Sequence, residues 1–259
     1  MNYTNLTLEI IEHTALVTIA NPPANTWTSA GLADLRRLVG DLNANPAVYS
    51  LVLTGQGAKF FSAGADLKLF ADGDIAVAHD MAQRFGEAFE ALSAFRGVSI
   101  AAINGYAMGG GLECALACDL RIAETQAQMA LPEASVGLLP CAGGTQNLAW
   151  LVGEGWAKRL ILCGERIDAA TALRIGLVEE VVDTGAALDR ALALARQAGK
   201  QSPSSVQACK QLIQGARQQP PASLLPRERE AFVGLFGGAN QVEGVQAFLE
   251  KRAPVWSQA

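Results

Sequence analysis

The chain has 259 residues, half of them hydrophobic and 17% charged, which excludes a disordered tail and provides for one large core with room for a small appended region. Its formal net charge is −5, from 20 Lys plus Arg against 25 Asp plus Glu, and no basic run is long enough to follow a nucleic-acid backbone. The 5 cysteines show neither paired metal-ligand spacing nor a disulfide framework, so the expected compartment is a reducing cytoplasm.

In chain order, MNYTNLTLEIIEHTALV meets acidic residues before any long apolar run and has no basic leader, so no signal or transit peptide is expected. Nor is a membrane crossing, because charge or glycine interrupts every apolar stretch. Residues 6–20 alternate loosely through LTLEII and ALVTIA, which predicts a hairpin. After the break at NPPANTW, Thr28 or Ser29 caps a helix in which Leu32, Leu35, Leu38, Val39 and Leu42 return at helical spacing. YSLVLTG reads as a strand buried on both faces. GQGAKFFSAGAD follows as a glycine-rich loop, and a second amphipathic helix over 75–95 turns Met81, Phe85, Phe89 and Leu92 inward. The buried strand VSIAAI comes next, and NGYAMGGGLECALAC turns sharply into a helix. Short extended segments in DLRIAE and QMALPE, then three short helices, lead to a strand at EEVV. From residue 186 onward only helices are predicted. The expected division is an α/β core over residues 1–200 and a helical region over 201–259 that caps the core, packs on another subunit, or does both.

Two glycine-rich stretches and two glutamates carry the chemistry. In KFFSAGAD, Gly64 permits a backbone geometry that a side chain obstructs and Ala65 leaves its amide little shielded. The stretch is either a tight turn or a place where that N–H faces an oxygen gaining negative charge. In NGYAMGGGLE, three glycines precede an apolar helix whose first turn offers unpaired N–H groups and a positive dipole end. Gly110 is the candidate donor there, and close packing of helix on sheet is the alternative. The spacing matches neither a dinucleotide fingerprint nor a P-loop. Glu113 lies in the first turn of that helix and Glu133 lies beside Pro132. Each alone fits a helix end or a surface. Together, among glycines and apolar residues, they suit general acid and base chemistry, because burial and mutual repulsion separate or raise carboxyl pKa values. His13 and His79 form no ligand pattern with the cysteines, Cys114 and Cys118 read as core packing, and no metal site is expected. Asp119 is placed to cap or anchor the following strand. Lys59, Lys251 and Arg252 are either surface charge or contacts to a ligand phosphate.

KFFSAGADLKLF, AAINGYAMGGGLECALACDLRIA and ALPEASVGLLPCAGGTQNL resemble the enoyl-CoA hydratase/isomerase family, also called the crotonase family. The resemblance runs from LEIIEHTALVTIANPPANTW to GVQAFLEKRAPVW. It implies a crotonase-like α/β spiral of repeated ββα units with a C-terminal helical trimerisation region, assembled as a homotrimer or a dimer of trimers. It also implies an acyl-CoA substrate whose thioester oxygen is held by the N–H groups of Ala65 and Gly110. By the same resemblance Glu113 activates water for attack at the β carbon and Glu133 delivers a proton to the α carbon. The implied reaction is reversible hydration of a trans-2-enoyl-CoA to a 3-hydroxyacyl-CoA. Coenzyme A enters as part of the substrate, and no other cofactor is implied. Its binding path is expected along Lys59, Ala63, Gly64, Ala65, Asp66, Leu67 and Gly110, with Lys251 reaching a neighbouring subunit's ligand. Leu69 and Phe70 are expected in the acyl wall. Single-glutamate relatives, which keep the acid corresponding to Glu133, resemble double-bond isomerases, and others use the same enolate stabilisation for different reactions. A noncatalytic acyl-CoA-binding protein is a further class. Two departures stand out: NPPANTW in place of the commoner N-R-P and A-L-N texture, and Cys141 where many hydratases have glycine.

Overall fold

The structure is a computed structural model that describes residues 2–217 and 219–257. The expected hairpin forms from β1 (Leu6–Ile11) and β2 (Thr14–Ile19), which pair antiparallel with Leu6 opposite Ile19. Helix α1 (Ser29–Ala44) follows, capped by Thr28, whose hydroxyl accepts from the Gly31 N–H at 3.0 Å. All five apolar residues predicted for its inner face are buried.

The chain then winds through repeated units. Strands β3 (Ser50–Gly55) and β4 (Phe60–Ser62) lead to α2 (Ile75–Ser93), and β5 (Val98–Ile103) and β6 (Tyr106–Met108) lead to α3 (Gly110–Ala117). Strands β7 (Leu120–Glu124) and β8 (Gln128–Ala130) lead to α4 (Gly144–Leu162). Short elements β9 (Ile167–Asp168), α5 (Ala169–Arg174) and β10 (Glu180–Val182) complete the mixed part. The first strand of each unit joins a sheet ordered β1-β2-β3-β5-β7-β10, and the second joins a smaller sheet ordered β4-β6-β8-β9. Successive units therefore stack in parallel twice over, β3 on β5 on β7 and β4 on β6 on β8. This is the expected spiral of ββα units.

Two stretches differ from the sequence reading. FFS and YAM lie in β4 and β6, although both were expected in loop or turn. Three residues are too few to show an alternation, so only pairing with a neighbouring strand reveals them. Helix α4 is broken at Gly153 (φ 76°), which accounts for the two short helices predicted there.

Four helices follow, α6 (Ala187–Ala198), α7 (Pro203–Gly215), α8 (Pro221–Gly234) and α9 (Ala239–Leu249). Ala187, Ala191 and Ala195 repeat every four residues along α6, and these small side chains let it pack closely on Val52, Ile100, Ala102 and Ile122 of the large sheet. Helix α7 is fastened by Lys210, whose ammonium donates to Asp119 Oδ2 at 2.7 Å and to the carbonyls of Phe95 and Gly97. Asp119 also accepts from the backbone N–H and hydroxyl of Ser99, so it anchors the turn into β7 to β5. Among the described residues no helix is long and apolar enough to cross a membrane.

Candidate active site

The small sheet gathers the site. Ala65 lies three residues past the end of β4, Gly110 two past β6 and Glu133 three past β8. Because these strands are parallel neighbours, their C-terminal ends emerge side by side at a spacing of about 5 Å. Positions scattered over nearly seventy residues of sequence thus meet at one edge.

They surround a cavity of about 780 Å³ whose lining includes Ala63, Ala65, Asp66, Leu67, Gly110, Glu113, Glu133 and Cys141. Of the acyl-wall residues expected, Phe70 lines it and Leu69 does not. Gly64 sits at the strand-to-loop bend with φ +84°, where a methyl group would lie 2.7 Å from the Met108 carbonyl oxygen and 3.0 Å from the Gly110 nitrogen. That position therefore requires glycine on both counts. Lys59 and Lys251 are exposed and lie off the cavity wall of this chain, with Lys59 stacked over the Phe60 ring.

The N–H groups of Ala65 and Gly110 have no acceptor among the described residues. Gly110 is the first residue of α3, where the helix provides no acceptor of its own and concentrates positive potential. Unpaired peptide donors at a cavity edge are chemically able to hold a negatively charged oxygen.

Glu113 is 2% exposed. Its Oε1 accepts from the N–H groups of Ala142 at 2.8 Å and Gly144 at 2.9 Å, the second belonging to the first residue of α4. Burial raises its pKa above the ordinary carboxylate value, while N–H bonds from Ala142, Gly144 and Cys141 draw it back down. Oε1 is thus committed to two peptide donors. Glu133 opens a 3-10 turn, Glu133–Val136, and its Oε2 is buried without a hydrogen-bond partner. Burial, assisted by the charge of Glu113, pushes its pKa up to about 7. Cys141 opens onto the cavity, yet the surrounding protein and the two glutamates push its thiol up to about 11. It is therefore a neutral thiol at physiological pH and not a nucleophilic thiolate.

Several lining residues were not foreseen. Thr26 and Met108 line the cavity, and Met81 and Phe85, expected as core, face both core and cavity. The two amides holding Glu113 were also missed, although the Gly143–Gly144 pair before an apolar helix carries the same helix-start signal that identified Gly110. Among the described residues no group of three or more His, Cys, Asp or Glu side chains is placed to hold a metal.

The family model described as enoyl-CoA hydratase/isomerase matches residues 9–259. A short-chain-enoyl-CoA hydratase of Clostridium acetobutylicum is 36% identical over 97% of each chain. A 2,3-dehydroadipyl-CoA hydratase of Escherichia coli is 38% identical over 92% of this chain and 93% of its own. Among solved structures, Pseudomonas aeruginosa DspI is 67% identical with a TM-score of 0.97, covering 99% of this chain and 98% of its own.

Proposed function

The chain belongs to the enoyl-CoA hydratase/isomerase family, and on that premise we propose that it adds water reversibly to a trans-2-enoyl-CoA, giving a 3-hydroxyacyl-CoA. The observation that carries this reading is the placing of two carboxyl groups of unlike environment on one cavity, beside two unpaired peptide N–H groups.

The thioester carbonyl sits between the N–H groups of Ala65 and Gly110, which accept the negative charge as the enolate forms. Each such donor is worth about 3 kcal/mol of transition-state stabilisation. Glu113, ionised and held through Oε1, takes a proton from water at Oε2 as the oxygen bonds to the β carbon. Glu133, whose pKa of about 7 keeps a substantial protonated fraction at neutral pH, gives its proton to the α carbon. Exchange with solvent then returns Glu113 to its carboxylate and Glu133 to its acid form, so water is consumed and nothing else. The step as written uses no nicotinamide, flavin or metal, and coenzyme A arrives as part of the substrate.

Ala63, Gly64, Asp66 and Leu67 flank the oxyanion donors and form the path for coenzyme A, with Lys59 at its outer end. Lys251 serves a ligand held by a neighbouring subunit. Exposed Phe232 and Val233 on α8, Phe236 just beyond it, and Phe248 and Leu249 on α9 support the assignment of residues 201–259 as the oligomerisation region of a homotrimer or dimer of trimers. The proposed compartment is the cytoplasm.

The competing reading within the family is isomerisation of a 3-enoyl-CoA, which Glu133 alone would carry. Purified protein is offered a 2-enoyl-CoA and, separately, a 3-enoyl-CoA. Loss of the conjugated absorbance with appearance of the 3-hydroxy product supports hydration. Conversion of the 3-enoyl compound without any hydration of 2-enoyl substrates of short, medium and aromatic chain rejects it.

A further inference from the structure

Trp27 is fully buried, yet its indole Nε1–H has no hydrogen-bond partner. A buried donor left unpaired costs stability, so what Trp27 contributes lies in the shape and packing of its ring. Its backbone N–H donates to the Gly64 carbonyl at 2.8 Å, and it forms an isolated parallel bridge with Ala65. Its ring meets Phe89 edge-on, with centroids 5.7 Å apart and planes at 70°. Phe89 in turn meets Phe85 at 5.6 Å and 78°. The Phe85 ring presses on Gly110, where an added methyl group would lie 2.7 Å from Phe85 Cε1.

A continuous aromatic ladder therefore joins the backbone beside one donor to the underside of the other. On the opposite side the loops touch directly, at Gly64 against Gly110. Edge-on aromatic pairs hold a defined distance and angle, which flexible aliphatic side chains do not. We propose that Trp27, Phe89 and Phe85 are positioning residues that set the spacing of the Ala65 and Gly110 N–H groups, with Trp27 as the far support. This rests on the reading of those two amides as the oxyanion donors. Since the donors act on charge that develops during reaction, the ladder governs kcat and leaves ground-state binding alone.

The test uses the full-length protein and the variants Trp27→Phe and Trp27→Leu, with folding checked by circular dichroism and thermal melting. Hydration kinetics give kcat and KM. The enolate absorbance of bound 3-oxobutanoyl-CoA gives an independent readout, because an oxyanion site favours the enolate of a β-keto thioester. Trp27→Phe keeps an aromatic edge and removes the orphan N–H, so it should fold and retain nearly full kcat. Trp27→Leu should lose about a hundredfold in kcat, the scale of a 1 Å misplacement, with KM unchanged and a weakened enolate band. If Trp27→Leu does not fold, Phe89→Leu is read in the same way. An unchanged kcat per folded molecule and an unchanged enolate band in the leucine variant would overturn the proposal and leave Trp27 as ordinary core. If the parent hydrates nothing but enolises bound 3-oxobutanoyl-CoA, and the leucine variant weakens that enolate, the hydratase reading fails while the ladder stands. A parent that neither hydrates nor enolises overturns both.

Discussion

Gly144 donates its N–H to Glu113 Oε1 across 2.9 Å, and a methyl group on Gly144 would lie 2.8 Å from that same oxygen. The bond and the missing side chain are two parts of one device, since the carboxylate approaches the start of α4 as closely as it does only where no Cβ stands in the way. Gly144→Ala is expected to push the carboxylate off its two amides and lower hydration kcat by about a hundredfold. Affinity for a saturated acyl-CoA, measured by calorimetry, should not change, because the displaced group faces water and not the coenzyme.

Glu113→Gln keeps the shape of the side chain and removes the base. Hydration should fall by about 10² to 10⁴ in kcat, while exchange of the α proton of a bound acyl-CoA with deuterated solvent, followed by nuclear magnetic resonance, should persist through Glu133. Near-normal hydration in this variant would contradict the role given to Glu113.

The pH dependence should be the same in both directions of the reaction. Glu133 has its pKa pushed up to about 7, and the glutamate pair must hold one proton, on Glu133 for hydration and on Glu113 for dehydration. Because the overall reaction takes up no proton, kcat/KM for hydration and for dehydration is expected to decline together as pH rises through about 7. Steady-state kinetics in both directions across pH 5–9 check this, and Glu133→Gln should abolish the shared limb.

Stability should respond to the same group. Glu133 titrates near its ordinary 4.5 when unfolded and at about 7 when folded, so between those values the folded chain holds a proton that the unfolded chain has released. Stability therefore falls as pH rises through this window and stays lowered above it. Below pH 4.5 the carboxyl is neutral in both states and costs nothing. Melting curves of Glu133→Gln should match the parent near pH 4 and lie above it at pH 8.

The fastening of α7 is a separate matter of folding. Lys210 is 10% exposed at its side chain and bonds Asp119 and two carbonyls. Lys210→Met leaves the Asp119 carboxylate without its cation and is expected to cost about 3 kcal/mol, read from urea unfolding. Hydration per folded molecule should remain unchanged, as Lys210 does not line the cavity.

What the sequence by itself determined was everything governed by local pattern. The inward faces of α1 and α2, the buried strands at 50–55 and 98–103, and the all-helical tail each announced themselves through periodicity, because one side of each segment meets the core. The residue types at Ala65, Gly110, Glu113 and Glu133 were also legible, through glycine-rich turns and acids set among apolar neighbours. Local pattern left open whether these four share one cavity; the family resemblance implied it, and the tertiary structure shows all four on one lining. Their convergence depends on β4, β6 and β8 lying side by side; the three residues of β4 and of β6 leave no repeating signal to read, and β8 was legible only as an extended segment without a partner. The support of each group is likewise long-range: Glu113 is held by amides some thirty residues away, and Trp27 reaches Gly110 through two rings of α2. Such contacts follow from which surfaces the spiral brings together, and that is a property of the packed chain.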